Sequence, residues 1–238
     1  MKLDILAFGA HPDDIELGCG GTLIKEVSQG KKVGIIDITE GELGSRGTRE
    51  TRKTEAEEAL DILGLSIREN LNLGDGFFEV NEASILRVIE KIRQYQPSIV
   101  ITNAKSDRHP DHGRAYELVE RAAFLSGLVK IQTELDGQSQ EKWRPKTVLN
   151  YVQDNYLKPD IIIDITPHFD QKMKAILAYK TQFYNPDSTE PKTPISSPEF
   201  LDHLKGRAIQ FGRNISVKYA EGFTCSRVLG VPSISNLL

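Results

Sequence analysis

The sequence predicts an α/β fold: a mainly parallel sheet with helices on both faces. Two observations carry this. Short apolar, often β-branched runs alternate with stretches whose apolar residues recur at helical spacing, the pattern of successive βα units. The 238 residues hold no internal repeat and suit one domain spanning 1–238. A chain of that length buries roughly 70% of its unfolded surface, enough for a core without disulfide staples.

Leu3 to Phe8 is mostly apolar and reads as the first strand, and Ile15 to Gln29 as the first helix. Lys32 to Ile38 is the second strand, reaching its end at Asp37, and Thr48 to Leu63 is a helix stopped by Gly64. Glu69 to Leu73 is a third strand before Gly74-Asp75-Gly76, and Asn81 to Tyr95 is a helix ended ahead of Pro97. Ile99-Val100-Ile101-Thr102 is a buried strand, followed by helical periodicity from Ala115 to Leu125. Gly127 to Pro145 is polar and predicts no element. Thr147 to Val152 and Ile161-Ile162-Ile163 complete the strands. Thr166-Pro167 and Ser197-Pro198 each pair an N-cap with a first-turn proline, the second opening a helix to about Asn214. Asn185 to Pro198 holds four prolines and five Ser or Thr, so it is a loop, either a connector or a lid. The whole predicts a Rossmann-like sheet, and ligands bind such sheets beyond the carboxyl ends of the strands.

Two strand-to-helix turns at that edge carry the chemistry. The first is His11-Pro12-Asp13-Asp14; the second is Asp107-Arg108-His109-Pro110-Asp111-His112. Three of the five histidines sit in these turns, which right-handed crossovers bring to one edge. His11 and Asp14 offer nitrogen and oxygen to a divalent metal, and Pro12 limits how the pair can open. Two histidines and a carboxylate make three ligands with coordination left for water, as a catalytic zinc requires. Adjacent side chains diverge, so one aspartate can ligate while the other acts as a base. The plain alternative is a polar turn with Asp13 or Asp14 as helix N-cap.

Three further features have plain alternatives too. Gly18-x-Gly20-Gly21 with Asp37 invites a nucleotide-binding reading, but the glycines lie inside the helix and acids occupy the phosphate position, so close helix–sheet packing is the better account. Arg46, Arg49, Arg52 and Lys53 cluster where the second helix begins, against its dipole. That points to substrate binding, foremost by Arg52, with a solvated face paired to neighbouring glutamates as the alternative. His168, His203 and Cys19 read as structural.

His11-Pro12-Asp13-Asp14 with Glu16 and Gly18-Cys19-Gly20-Gly21, and His109-Pro110-Asp111-His112, resemble the PIG-L (LmbE-like) zinc-dependent N-acetylglucosamine deacetylases. The resemblance is strongest from Leu3 to Arg114 and returns at Tyr219-Ala220-Glu221-Gly222-Phe223. It implies Zn²⁺ on His11, Asp14 and His112, with Asp13 as general base. It implies His109 as the group that stabilises or protonates the reacting amide, with Asp111 as its partner, and Arg52 as a holder of sugar hydroxyls. The donor set also admits Fe²⁺ or another divalent metal. Thr39 to Gly47 and Gly74 to Phe78 look most like the subfamily that deacetylates N-acetylglucosaminyl malate in bacillithiol biosynthesis, and the extra arginines suit a substrate bearing carboxylates. Relatives acting on chitin-type sugars are the nearest competitors. The family includes homo-oligomers.

Composition narrows the classes. A net charge of −4 supplies no basic field for nucleic acid or an anionic membrane. Two cysteines make no disulfide framework, the start has too short an apolar run for a signal peptide, and no stretch approaches a membrane span. The expectation is a cytoplasmic enzyme acting on a small amino-sugar conjugate. A non-haem iron oxygenase also uses two histidines and a carboxylate, but it predicts a β-rich chain. A nucleotide-binding module would bind NAD without metal.

Overall fold

All five residues of β1 (Ile5–Gly9) are buried, so the strand takes the middle of a sheet covered on both faces. In this computed structural model, which describes residues 1–65 and 67–237, the chain then alternates as the sequence predicts. It runs α1 (Asp14–Ser28), β2 (Val33–Asp37), α2 (Arg49–Leu63), β3 (Ile67–Asn70), α3 (Glu82–Tyr95), β4 (Ile99–Asn103) and α4 (Pro110–Leu125). There follow a small hairpin of β5 (Glu134–Leu135) and β6 (Gln138–Ser139), then β7 (Thr147–Tyr151), β8 (Ile161–Asp164), α5 (Phe169–Leu177), α6 (Pro198–Asn214) and β9 (Ala220–Thr224).

The seven-stranded sheet has the order β3-β2-β1-β4-β7-β9-β8. Pairing is parallel from β3 through β7, and β9 runs antiparallel between β7 and β8. From β1 the chain winds outward through β2 and β3, then returns to place β4 on the other side of β1. The order therefore reverses between β1 and β4, which makes the crevice beyond their ends the expected ligand site. Alternation along β1 builds the two cores: Leu6 and Phe8 pack with Val88, Ile92 and Leu118 of α3 and α4, while Ile5 and Ala7 pack with Ile15, Cys19 and Leu23 of α1.

Gly18 and Gly21 of α1 are packing residues. A Cβ on Gly18 would lie 2.1 Å from the Tyr151 ring, and one on Gly21 would lie 2.7 Å from Ile165. The helix backbone meets those side chains directly, which accounts for both glycines without a bound nucleotide. Gly18→Ala is expected to cost ~1–3 kcal/mol in a urea melt, overpacking outweighing alanine's better helix propensity. A variant as stable as the parent would show that Tyr151 can swing away.

Several boundaries differ from expectation. The third strand is Ile67–Asn70 rather than Glu69 to Leu73, because it pairs with Gly34 to Asp37. The fourth helix begins at Pro110, with His109 itself at the N-cap. Thr166-Pro167 opens a 3₁₀ turn rather than an α-helix, since Thr166 is tied to Asp164 and Tyr219. The polar stretch hides the β5–β6 hairpin, whose Asp136 and Gly137 both have positive φ, as a tight two-residue turn requires. Among the described residues no helix is long and apolar enough to cross a membrane.

Candidate active site

Both histidine turns leave the sheet at the β1/β4 reversal and meet there. The three rings of His11, His109 and His112 lie with centroids 4.7 to 5.7 Å apart. They line a cavity of about 490 Å³ together with Asp13, Asp14, Arg52, Asp75, Arg108, Asp111, Gln153 and Asp154. Its apolar lining comes from Leu17, Leu43, Ile195, Phe200 and Leu204.

Asp14 is the hub of the cluster. Its Oδ1 lies 3.1 Å from His112 Nε2, and its Oδ2 lies 3.5 Å from His11 Nδ1. Gln153 Nε2 donates to Oδ1 at 2.7 Å, while Asn103 Nδ2 and the His11 backbone N–H donate to Oδ2 at 3.2 and 3.0 Å. Burial alone would raise its pKa, but His112 and His11 hold it well below the usual carboxylate range. Burial alone would lower His112, yet Asp14 and Asp107 raise it to about 9. His11 is likewise raised against its burial by Asp111, Asp14 and Asp75. Such a cluster of nitrogen and oxygen donors, holding protons tightly, also suits a divalent cation.

The outer nitrogens separate the three imidazoles. His112 Nδ1 meets Asp107 at 2.7 Å, and His11 Nε2 meets Asp75 at 3.0 Å and Asp111 at 3.3 Å. Carboxylates on the far nitrogen are what ligating histidines carry. His109 has none among the described residues: its Nδ1 accepts the Asp111 backbone N–H at 3.3 Å, which leaves the neutral ring's proton on Nε2. By donor spacing alone, His11 could share an ion with His109 and His112, or with Asp75 and Asp111, and the Asp14 carboxylate stands between His11 and His112 as a further oxygen donor.

Asp13 settles the capping alternative. It stands at the N-cap of α1 yet makes no side-chain cap bond, and its backbone sits at φ 113°, a conformation non-glycine residues rarely adopt. The carboxylate instead takes Arg52 Nη2 at 3.1 Å. Burial raises its pKa to about 7 despite Arg52, with Asp14 adding to the rise.

Three expectations need correction. The Asp111 carboxylate does not partner His109; it faces His11, the Gly76 N–H at 2.9 Å and Arg114 at 2.7 Å, so it orients His11. Arg46 does not face the cavity. Its guanidinium donates to Thr181 O, to Pro191 O at 2.8 Å and to Ser188 Oγ at 2.9 Å. The 185–198 loop is thereby pinned as a wall. Arg49 is half exposed and pairs with Glu40 at 2.6 Å, outside the cavity. Of the three arginines, only Arg52 reaches the site. Sequence reasoning missed Asp75, Asn103 and Gln153, and gave Asp107 no role beyond its place in the second turn. Each lies at or just beyond the carboxyl end of a strand, which is the one signal that could have flagged them.

A family model described as GlcNAc-PI de-N-acetylase (PIG-L) matches residues 6–123, which span both turns. The conserved protein TT1542 from Thermus thermophilus superposes with a TM-score of 0.86 at 36% identity, covering 97% of this chain and 98% of that one. The chain belongs to the PIG-L family. Among its relatives is a diacetylchitobiose deacetylase of Thermococcus kodakarensis, 25% identical over 228 residues, covering 92% of this chain and 81% of the relative. The N,N'-diacetylchitobiose deacetylase of Pyrococcus horikoshii superposes at TM-score 0.79 and 25% identity, covering 98% of this chain and 88% of that one. This PIG-L deacetylase thus carries the family's hydrolytic fold with a histidine–aspartate cluster suited to a divalent metal at its sheet edge.

Proposed function

We propose that the protein hydrolyses the acetamide of an N-acetylglucosaminyl conjugate, releasing acetate and the free amine. The observation that carries this is Asp13: a strained, buried carboxylate, free of capping and aimed beside the His11–Asp14–His112 cluster. We assign His11, Asp14 and His112 as ligands of Zn²⁺, for which their donor set and carboxylate-held outer nitrogens fit. A divalent ion there supplies Lewis acidity and makes water nucleophilic near neutral pH.

The chain's own groups do the rest. Asp13 takes the proton of the attacking water while Arg52 holds its carboxylate in place. His109, its Nε2–H directed by the Asp111 backbone, donates to the carbonyl oxygen as charge develops or to the departing nitrogen. Ile195, Phe200 and Leu204 give the cavity an apolar surface against which the acetyl group or sugar can pack.

The finer reading is that the sugar carries malate. With Arg46 and Arg49 outside the cavity, Arg108 is the half-exposed guanidinium on its wall that can meet a carboxylate. The named relatives favour a chitin-type sugar instead. Comparing kcat/KM for N-acetylglucosaminyl malate and diacetylchitobiose decides between them. A preference of at least about tenfold for the malate conjugate, abolished by Arg108→Ala, is the expected result, a tenfold ratio being the size of one charge-assisted contact. Equal values would sink the malate assignment and raise the chitin-type reading, and no acetate from either would exclude both as the substrate.

A further inference from the structure

Three buried polar atoms of cavity-lining residues lack a partner among the described residues: Arg52 Nε, Thr193 Oγ1 and Gln153 Oε1. The third has a fixed direction. The Asp14 carboxylate can only accept, so the Gln153 amide must turn its Nε2 to Asp14 Oδ1, at 2.7 Å. Its oxygen then stands about 2.2 Å from that nitrogen, as amide bond lengths dictate, beside the hub of the cluster. Gln153 is 8% exposed. Its place is set by the end of β7, where Tyr151 packs against Gly18 of α1.

Building on the deacetylase reading, we propose that Gln153 Oε1 is the acceptor for the N–H of the scissile acetamide and for the amine that replaces it. The reacting carbon must come next to the Asp14 cluster, and the group on it that needs an acceptor is the amide nitrogen. Every carboxylate on the wall already faces a donor of the chain: Asp13 faces Arg52, Asp14 faces His112, Asp75 and Asp111 face His11, and Asp154 faces Arg108. Gln153 offers an uncharged oxygen with no such claim on it. Hydrolysis forms a bond from water oxygen to the acetyl carbon, breaks the C–N bond, and delivers a proton to nitrogen. That nitrogen donates more strongly once protonated, so the contact strengthens along the reaction. A neutral acceptor holds the amine without competing for its proton.

The test uses two matched substrates, a glucoside bearing a 2-acetamido group and the same glucoside bearing a 2-O-acetyl ester. Only the first has an N–H. Gln153→Met keeps length and removes both hydrogen bonds. Any loss transmitted through Asp14 strikes both substrates alike, and metal content measured on the same preparations reports it separately. The expected result is a fall in kcat/KM that is about 10–100-fold larger for the amide than for the ester, the range for an orphaned hydrogen-bonding group. Gln153→Asn withdraws the carbonyl by one methylene while keeping the polarity, and serves the same comparison if the Met variant is insoluble. Equal losses on both substrates overturn the proposal and leave Gln153 as a support for Asp14. A wild-type protein that cleaves the ester but not the amide overturns the deacetylase reading, and this inference with it.

Discussion

Asp14→Ala is expected to strip the protein of its divalent ion and to abolish acetate release. The variant removes the carboxylate that joins His11 to His112 and leaves the donors of Gln153, Asn103 and the His11 N–H without an acceptor. Two ligands remain of the proposed three, below what a catalytic zinc site uses. The metal-free variant is also expected to lose ~3–5 kcal/mol of stability relative to metal-free parent, because two buried imidazoles lose their shared counter-charge. Metal analysis and a denaturant melt on one preparation read both effects. A graded counterpart is available: Asp107→Asn and Asp111→Asn each loosen one outer nitrogen and should weaken metal affinity by about 10–100-fold rather than remove it. An Asp14→Ala protein with full metal content would pass the third ligand position to His109, whose nitrogens are close enough to take it.

Local sequence carries the central strands and the two histidine turns, but not the groups brought to them from far along the chain. The apolar runs of β1, β2 and β4 are legible because a strand buried on both faces has almost no alternative composition. The turns after β1 and β4 are legible because histidine next to aspartate at a strand end has few structural uses. β9 is different: Ala220–Thr224 has no apolar run, and its Glu221 is buried only because Lys172 of α5 and the N–H groups of Gly21 and Thr22 meet it. Those partners are distant in the chain, so no window of sequence contains the reason. The same holds for the arginines. Arg46 and Arg52 sit in one cationic run, yet Arg46 is claimed by Thr181, Ser188 and Pro191 while Arg52 turns inward to Asp13. Charge patterning marks the run as unusual; only tertiary contacts choose the member that faces the cavity. Gln153 and Asn103 carry no motif at all, being ordinary amides that a strand register places beside Asp14.

Asp13→Asn and His109→Ala are expected to keep the metal and lose turnover, for different reasons. Asparagine matches aspartate in size and can stay beside Arg52, but it cannot accept water's proton. The loss should be at least about 10²–10⁴-fold in kcat, with KM little changed. In the parent, the base works only when deprotonated, so activity falls as pH drops through the pKa of Asp13. Burial sets that value to about 7, and a divalent cation alongside lowers it, so the acidic limb should fall at or below pH 7. His109→Ala should cost a similar factor, since it removes the donor facing the reacting oxygen or nitrogen. Burial lowers the His109 pKa, so the ring is neutral at working pH and donates through Nε2. Two outcomes follow for the basic limb of the kcat/KM profile. A neutral donor leaves that limb in place when His109 is removed, whereas a general acid takes the limb away with it. The first is expected, because the Asp111 backbone N–H occupies Nδ1 while the Asp111 carboxylate is turned to His11 and Arg114. Metal content and pH–rate profiles on the same preparations separate the cases, and zinc lost from His109→Ala would mean the two histidines of the second turn have exchanged roles.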